Sequence, residues 1–178
     1  KRLAADDAVE GTIVVSEAQT LGRGRLNRGW FSPPGGGVWV SVILRPPFPP
    51  QEAPKCTLMA AVATVEAIRE ASGLNCGIKW PNDILWQGRK LVGILTEMSA
   101  EMDAINFVVL GIGINVSLQE SDFPEELRNI GASVSMGAER EVSRVEVLQK
   151  LLERLEYWYQ VVKQEGFESV LEAWRRES

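Results

Sequence analysis

Residues 76–98 read CGIKWPNDILWQGRKLVGILTEM, and their pattern decides the class of fold. Cys76 to Trp80 has strand character and is halted by Pro81, because the residue before a proline is driven to extended backbone and proline cannot donate to a ladder. Ile84-Leu85-Trp86 and Leu91 to Met98 are apolar runs separated by Gln87-Gly88-Arg89. So short a connection turns the chain back on itself, and the two runs read as a hairpin of antiparallel neighbours. Working outward, Thr12-Ile13-Val14-Val15, within Gly11 to Glu17, reads as a buried strand. Val38 to Leu44 reads as a second strand, stopping at Arg45-Pro46-Pro47, and Phe107 to Val116 as another, interrupted by Gly111 and Gly113. Leu58, Ala61, Val62, Val65 and Ile68 recur at helical spacing between Pro54 and Gly73. A capping box of Ser143 and Glu146 opens a longer helix whose apolar face runs through Val145, Leu148, Leu152, Leu155, Tyr159 and Val162 to Gly166, and a short helix over Phe167 to Arg176 follows. Consecutive hairpin-like strands with helices on either side indicate an α+β domain built on a mixed, mainly antiparallel sheet.

With 178 residues and 45% hydrophobic content the chain can bury one core, so 1–178 is read as a single domain. The net charge of −5 argues against a broad nucleic-acid-binding surface, although basic residues cluster in one loop. No apolar run approaches the roughly 20 residues of a membrane span, and the acidic first residues do not resemble a signal peptide, so the expected location is cytoplasmic. Cys56 and Cys76 are far apart and read as two buried thiols. The chain has no histidine. That excludes Ser-His-Asp and Cys-His machinery, His-containing zinc sites and an imidazole base. Any catalysis has to rest on lysine, arginine, carboxylates and backbone.

Four stretches carry candidate chemistry. Thr20 to Gly37, TLGRGRLNRGWFSPPGGG, holds six glycines, two prolines and three arginines, which neither helix nor strand tolerates. Alternating glycine and arginine lets backbone amides and guanidinium forks converge on an anion, and a flexible basic or RNA-binding loop is the bland alternative. Lys79-Trp80-Pro81-Asn82-Asp83 places a cation, an amide and an acid on a rigid turn, which suits a phosphate or metal-nucleotide site. It also suits a self-satisfied surface turn with Lys79 solvated and Trp80 in the core. In Lys90-Leu91-Val92-Gly93-Ile94-Leu95 and in Gly111-Ile112-Gly113-Ile114-Asn115, glycines interrupt apolar strands, marking either a bulge or a close approach of ligand to backbone. Neither has a dinucleotide-binding spacing.

GRGR (22–25), RGWFSPPGG (28–36), KWPND (79–83), KLVGIL (90–95) and GIGIN (111–115), in this order, strongly resemble the catalytic domain of the biotin protein ligases. The resemblance runs from Gly11 to Val116. It implies a mixed sheet with helices on one face, shared with lipoate ligases and distantly with class II synthetases. It implies an ATP-dependent enzyme that activates biotin to biotinyl-5′-AMP and transfers it to a lysine of a biotin carboxyl carrier protein. Carried over by position, Lys79, Arg23 and Lys90 take the catalytic roles, Lys79 at the biotin carboxylate and Lys90 near the α-phosphate. Gln19, Arg23, Gly24, Arg25, Lys79 and Gly93 fall to biotin, and Arg25, Arg28, Trp30, Asn82, Lys90 and Asn115 to ATP. Asp83 falls to Mg²⁺.

A biotin carboxylate is ionised at neutral pH and needs no base to attack phosphorus, which agrees with the missing histidine. Two repelling anions need cations to hold them together. The loop is expected to be mobile without ligand, and Trp30 to be exposed until it packs on adenine. Membrane and nucleic-acid partners are not expected, and a homodimer is left open. The resemblance further implies truncation at both ends: a Ser-Thr-Asn segment belongs upstream of Lys1, and an SH3-like domain belongs beyond Ser178 in many members. The alternatives are a lipoate or octanoate ligase or transferase of the same superfamily, and a non-catalytic biotin-sensing or RNA-binding module.

Overall fold

The computed structural model describes the backbone of residues 1–178 and every side chain except that of Asn27. Six strands, β1 (Ile13–Ser16), β2 (Gly37–Leu44), β3 (Gly77–Lys79), β4 (Asp83–Trp86), β5 (Arg89–Glu101) and β6 (Ala104–Asn115), form one sheet in the order β1-β2-β6-β5-β4-β3. Every neighbouring pair is antiparallel, and parallel pairing is confined to an isolated bridge between Lys90 and Gly131. The hairpin read from the sequence is β4–β5. Gln87 and Gly88 both take positive φ, 48° and 78°, as a two-residue turn requires if it is to follow the twist of its strands.

Successive side chains of a strand point to opposite faces. On β2, β5 and β6 the even-numbered Val40, Val42, Ile94, Leu110, Ile112 and Ile114 are buried on one face. α2 (Lys55–Ser72) packs on that face, and α4 (Arg144–Glu165) and α5 (Glu168–Glu177) pack on α2. Lying between sheet and helix, α2 is buried on two sides, which accounts for its run of small residues, Ala60, Ala61, Ala63 and Ala67. Gly73 ends it in left-handed backbone with φ 77°. Ser143 caps α4 as the sequence pattern required, its hydroxyl accepting from the Glu146 amide at 3.3 Å, but Val145, expected on the apolar face, is 64% exposed in the first turn, off the buried stripe of Val147, Leu151, Leu155, Trp158 and Val162. The indole of Trp158 donates to Glu66 at 2.8 Å, joining α4 to α2.

The odd-numbered face is covered differently. Among the described residues the helix packed on it is the short α1 (Arg2–Ala5), whose Ala4 meets Ile43, Phe107 and Val109. Arg45 fastens this N-terminal segment, donating to the carbonyls of Ala4 at 2.9 Å, Ala8 at 2.9 Å and Asn106 at 2.7 Å. The rest of the face is left for the site. β1 corrects the sequence reading of a buried strand: Ile13, Val14 and Val15 are 42%, 43% and 52% exposed. It is the sheet's edge, bonded only to β2, and its β-branched residues report strand propensity rather than burial. No helix of the described residues is long and apolar enough to cross a membrane.

Cys56 and Cys76 are free and buried, as read from their spacing. Burial pushes each thiol from an ordinary value near 9 up to about 12. Between those values the unfolded chain releases protons that the folded chain retains, so their contribution to stability is complete below about pH 9 and is lost as pH rises through that window. The urea midpoint should therefore fall between pH 8 and 10.5, and fall less steeply in a Cys56→Ala/Cys76→Ala variant. Equal slopes in the two proteins would refute this reading of the thiols.

Candidate active site

The odd face of the sheet carries a row of aligned residues running Trp39, Gly113, Gly93, Asp83, Lys79 across β2, β6, β5, β4 and β3. Beside it run Ser41, Gly111 and Leu95. The indole of Trp30 lies against the two glycines of the first row. A Cβ on Gly93 would stand 2.9 Å from the indole, and one on Gly113 would stand 2.3 Å from its Nε1. Trp30 is thus half-buried, edge-on to Trp39 at 6.5 Å, rather than exposed as expected. The reason is steric: bare backbone at 93 and 113 admits a ring that any side chain would expel. Gly93, which the resemblance assigned to biotin, here meets Trp30. Gly111 differs, since an added Cβ would meet nothing closer than the Leu95 carbonyl at 3.4 Å. Next to Ser41, it is the part of the floor left open to a ligand.

The loop that delivers Trp30 is an irregular hairpin with bridges Gln19–Ser32 and Arg23–Gly29. The Gln19 amide donates to Ser32 at 3.0 Å, Trp30 to Gly22 at 2.8 Å and Gly24 to Arg28 at 2.7 Å. Gly22 is obligatory, because a Cβ would come within 2.3 Å of the Trp30 carbonyl. Two arginines tie the loop to the sheet. Arg25 donates to the Asn82 side chain at 3.1 Å, and Asn82 in turn donates to the Ile94 carbonyl at 2.9 Å. Arg23 reaches Glu97 on β5 at 3.5 Å, and Lys1 reaches the same carboxylate at 3.3 Å. Gln19 is exposed and its side-chain oxygen accepts from Ser32 at 2.9 Å.

Loop, sheet floor and a third segment enclose a cavity of about 620 Å³. Its wall includes Gln19, Arg23, Gly24, Arg25, Arg28 and Trp30 from the loop, and Asn82, Asp83, Lys90, Gly93, Gly111 and Asn115 from the strands and the turn before β4. Lys90 projects into it, 2.8 Å from Asp83 and 5.3 Å from the centre of the Trp30 ring. Lys79 stands apart: it is exposed on the edge strand and does not line the cavity. From Gly93 it is two strands away, roughly 10 Å between backbones, with its side chain on the same face. Trp80 beside it is 70% exposed and belongs to no core. Asn115 is buried, and its amide donates to the carbonyls of Ala132 at 3.0 Å and Lys90 at 3.4 Å. Among the described residues no three His, Cys, Asp or Glu side chains cluster to hold a metal ion.

The third segment, a strap over 117–133 made of short turns, was not read from the sequence. Phe123, Leu127, Ile130 and Gly131 close one end of the cavity beside Trp30. Its apolar residues have neither a helical nor a strand period, so pattern reading had nothing to detect. Gly131 was the one available signal, since a Cβ there would strike Phe123 at 2.8 Å.

The model of the biotin/lipoate A/B protein ligase family matches residues 1–115. The bifunctional ligase/repressor BirA of Bacillus subtilis is 50% identical over 172 residues, 97% of this chain and 53% of its own length. The biotin–[acetyl-CoA-carboxylase] ligase of Paracoccus denitrificans is 32% identical over 168 residues, 90% of this chain and 68% of its own. The biotin protein ligase of Aquifex aeolicus, solved in complex with biotin and ATP, superimposes with a TM-score of 0.85 at 30% identity, over 99% of this chain and 72% of that one. The chain spans about half the length of the Bacillus relative. It belongs to the biotin/lipoate A/B protein ligase family.

Proposed function

We propose that this chain carries the catalytic site of an ATP-dependent biotin protein ligase, which joins biotin to AMP and then passes the biotinyl group to a lysine of a biotin carboxyl carrier protein. One observation carries the reading: residues from all the sequence blocks, 79 excepted, meet in a single cavity large enough for a mixed anhydride and walled by Arg23, Arg25, Arg28 and Lys90. The open floor at Gly111, with Ser41 and Gln19 nearby, offers polar partners to a ureido ring. A lipoyl or octanoyl chain has no use for them, and this favours biotin over the other acyl groups of the family. The stack of Trp30 on glycine leaves one face of the indole for adenine, and the apolar strap closes that end.

In the first step a biotin carboxylate oxygen attacks the α-phosphorus of ATP, and the bond to pyrophosphate breaks. No proton moves, so no base is needed. The protein holds two anions in line and neutralises their repulsion. That Lys90 and the loop arginines line one cavity supports this role for them. Lys79, exposed on the edge strand but on the same face of the sheet, would have to extend its four-carbon arm past Asp83 to join them. Magnesium would be held chiefly by the phosphates, as is usual for that ion, with Asp83 as the protein carboxylate beside them. In the second step the neutral amine of the acceptor lysine attacks the anhydride carbonyl, the bond from that carbon to the phosphate oxygen breaks, AMP leaves and the amine's proton passes to solvent. Incubation with biotin and Mg-ATP followed by mass spectrometry tests the reading: biotinyl-AMP is expected, and biotin binding without adenylate would favour a sensor.

Lys79→Ala should slow adenylate formation by about 10²-fold, the usual scale for removing one preorganised charge, and hardly alter thermal stability because the side chain is exposed. An unchanged adenylation rate would remove Lys79 from the mechanism. Gly113→Ala should displace the Trp30 indole and raise the KM for ATP. Because both substitutions act through the same ring, Trp30→Ala/Gly113→Ala should be no worse than Trp30→Ala alone. Additive losses in that double-mutant cycle would show that Gly113 serves something other than the indole.

A further inference from the structure

We propose that Arg89 is a positioning residue that sets the strap over 117–133 and, through it, the nucleotide end of the cavity; this rests on the ligase reading above. Arg89 opens β5 and lies next to the pocket cation Lys90 in sequence. Its guanidinium donates to the Gly131 carbonyl from Nε at 2.8 Å and to the Arg128 carbonyl from Nη2 at 2.7 Å, and its Nη1 lies 3.7 Å from Glu120. One side chain therefore fixes the strap at three points spread over its length. The two carbonyl bonds are short and charge-assisted, and only 24% of the side chain is exposed. The Glu120 contact is looser, on a carboxylate 61% exposed, and is secondary.

What makes the clamp more than a fold support is the neighbour it is wired to. The Lys90 amide donates to the Ile130 carbonyl at 2.6 Å, and the Ala132 amide donates to the Lys90 carbonyl at 3.0 Å. Asn115 adds its own bonds to the Lys90 and Ala132 carbonyls. Backbone 130–132 and the backbone of Lys90 are thus one hydrogen-bonded unit, with Arg89 bracing it from outside the cavity. A strap that drifts from Arg89 takes with it Leu127, Ile130 and Gly131, which wall the cavity beside Trp30, and loosens the seat of the lysine that faces the reacting phosphate. The loop carrying Gln19, Arg23 and Gly24 has its own ties to Asn82 and Glu97 and does not touch Arg89. The strap side of the nucleotide end is therefore positioned by Arg89, whereas the arginine loop, which delivers Trp30 and meets the strap where the Phe31 and Phe123 rings lie 6.4 Å apart, is held by ties of its own.

The test is a split between substrates. Arg89→Ala should raise the KM for ATP roughly tenfold or more, the scale of losing charge-assisted hydrogen bonds, and speed release of biotinyl-AMP. Biotin affinity measured without nucleotide should stay within about twofold of the parent. Arg89→Lys should recover part of the loss, and Glu120→Gln should lose little. Amide hydrogen exchange of ligand-free Arg89→Ala should show lost protection across 120–132 and none across 19–32. Equal loss of biotin and ATP affinity, or an unchanged KM for ATP, would overturn the proposal, as would unaltered protection of the strap. A parent chain that makes no adenylate would bring down the ligase reading, and the exchange experiment would still decide whether Arg89 holds the strap.

Discussion

Two neighbouring glycines, Gly93 on β5 and Gly113 on β6, leave the sheet bare where the indole of Trp30 lies against it, and the arrangement of the site depends on that contact. With a Cβ at either position the ring could not approach, and a loop rich in glycine and arginine would have no apolar anchor on the sheet. The contact also decides which glycines remain for ligand. Gly113 and Gly93 are occupied by the indole, and Gly111 is left open beside Ser41. Because strand side chains alternate, the same strands bury valine, isoleucine and leucine under α2 on the opposite face. One face supplies the stability and the other is free to be shaped for binding.

The cations of the site are held apart by local partners. Arg23 faces Glu97, Arg25 faces Asn82 and Lys90 faces Asp83, so their mutual repulsion is damped before any anion arrives. These pairs are partly exposed, and partly exposed ion pairs are worth little. A phosphate or carboxylate can take over such cations at small expense, which suits the proposed adenylation, in which two anions are held in line. A chain of net charge −5 can in this way concentrate positive charge on one side of one sheet.

Much of this was legible in the sequence. The β4–β5 hairpin followed from Gln87-Gly88, α2 from the spacing of Leu58 to Ile68 between Pro54 and Gly73, and α4 from Ser143 and Glu146. These are local signals, fixed by turn geometry, helical period and capping, and each reappears in the folded chain. The order of the motif blocks led to the family, and the family model agrees. Reading failed where an answer depended on residues distant in sequence. The Thr12 to Val15 run has a strand's composition whether it lies at an edge or in the middle, and only its position outside β2 leaves it exposed. Trp30 was expected in solvent because the resemblance gave its ring to adenine, and the two glycines that receive it, Gly93 and Gly113, lie far along the chain.

By itself, then, the sequence determined the elements, the antiparallel hairpin, the absence of histidine chemistry and the set of cations from which a site could be made. These depend on contacts within a few residues or on composition alone. Only the tertiary structure decided that Trp30 belongs to Gly93 and Gly113, that Lys79 stands at the edge outside the cavity wall, and that the strap over 117–133 closes the far end under Arg89. The reason is sheet register: β6 inserts between β2 and β5, and this brings together across neighbouring strands residues far apart in the chain, such as Trp39 and Gly113 or Gly37 and Asn115, pairings that no local pattern encodes.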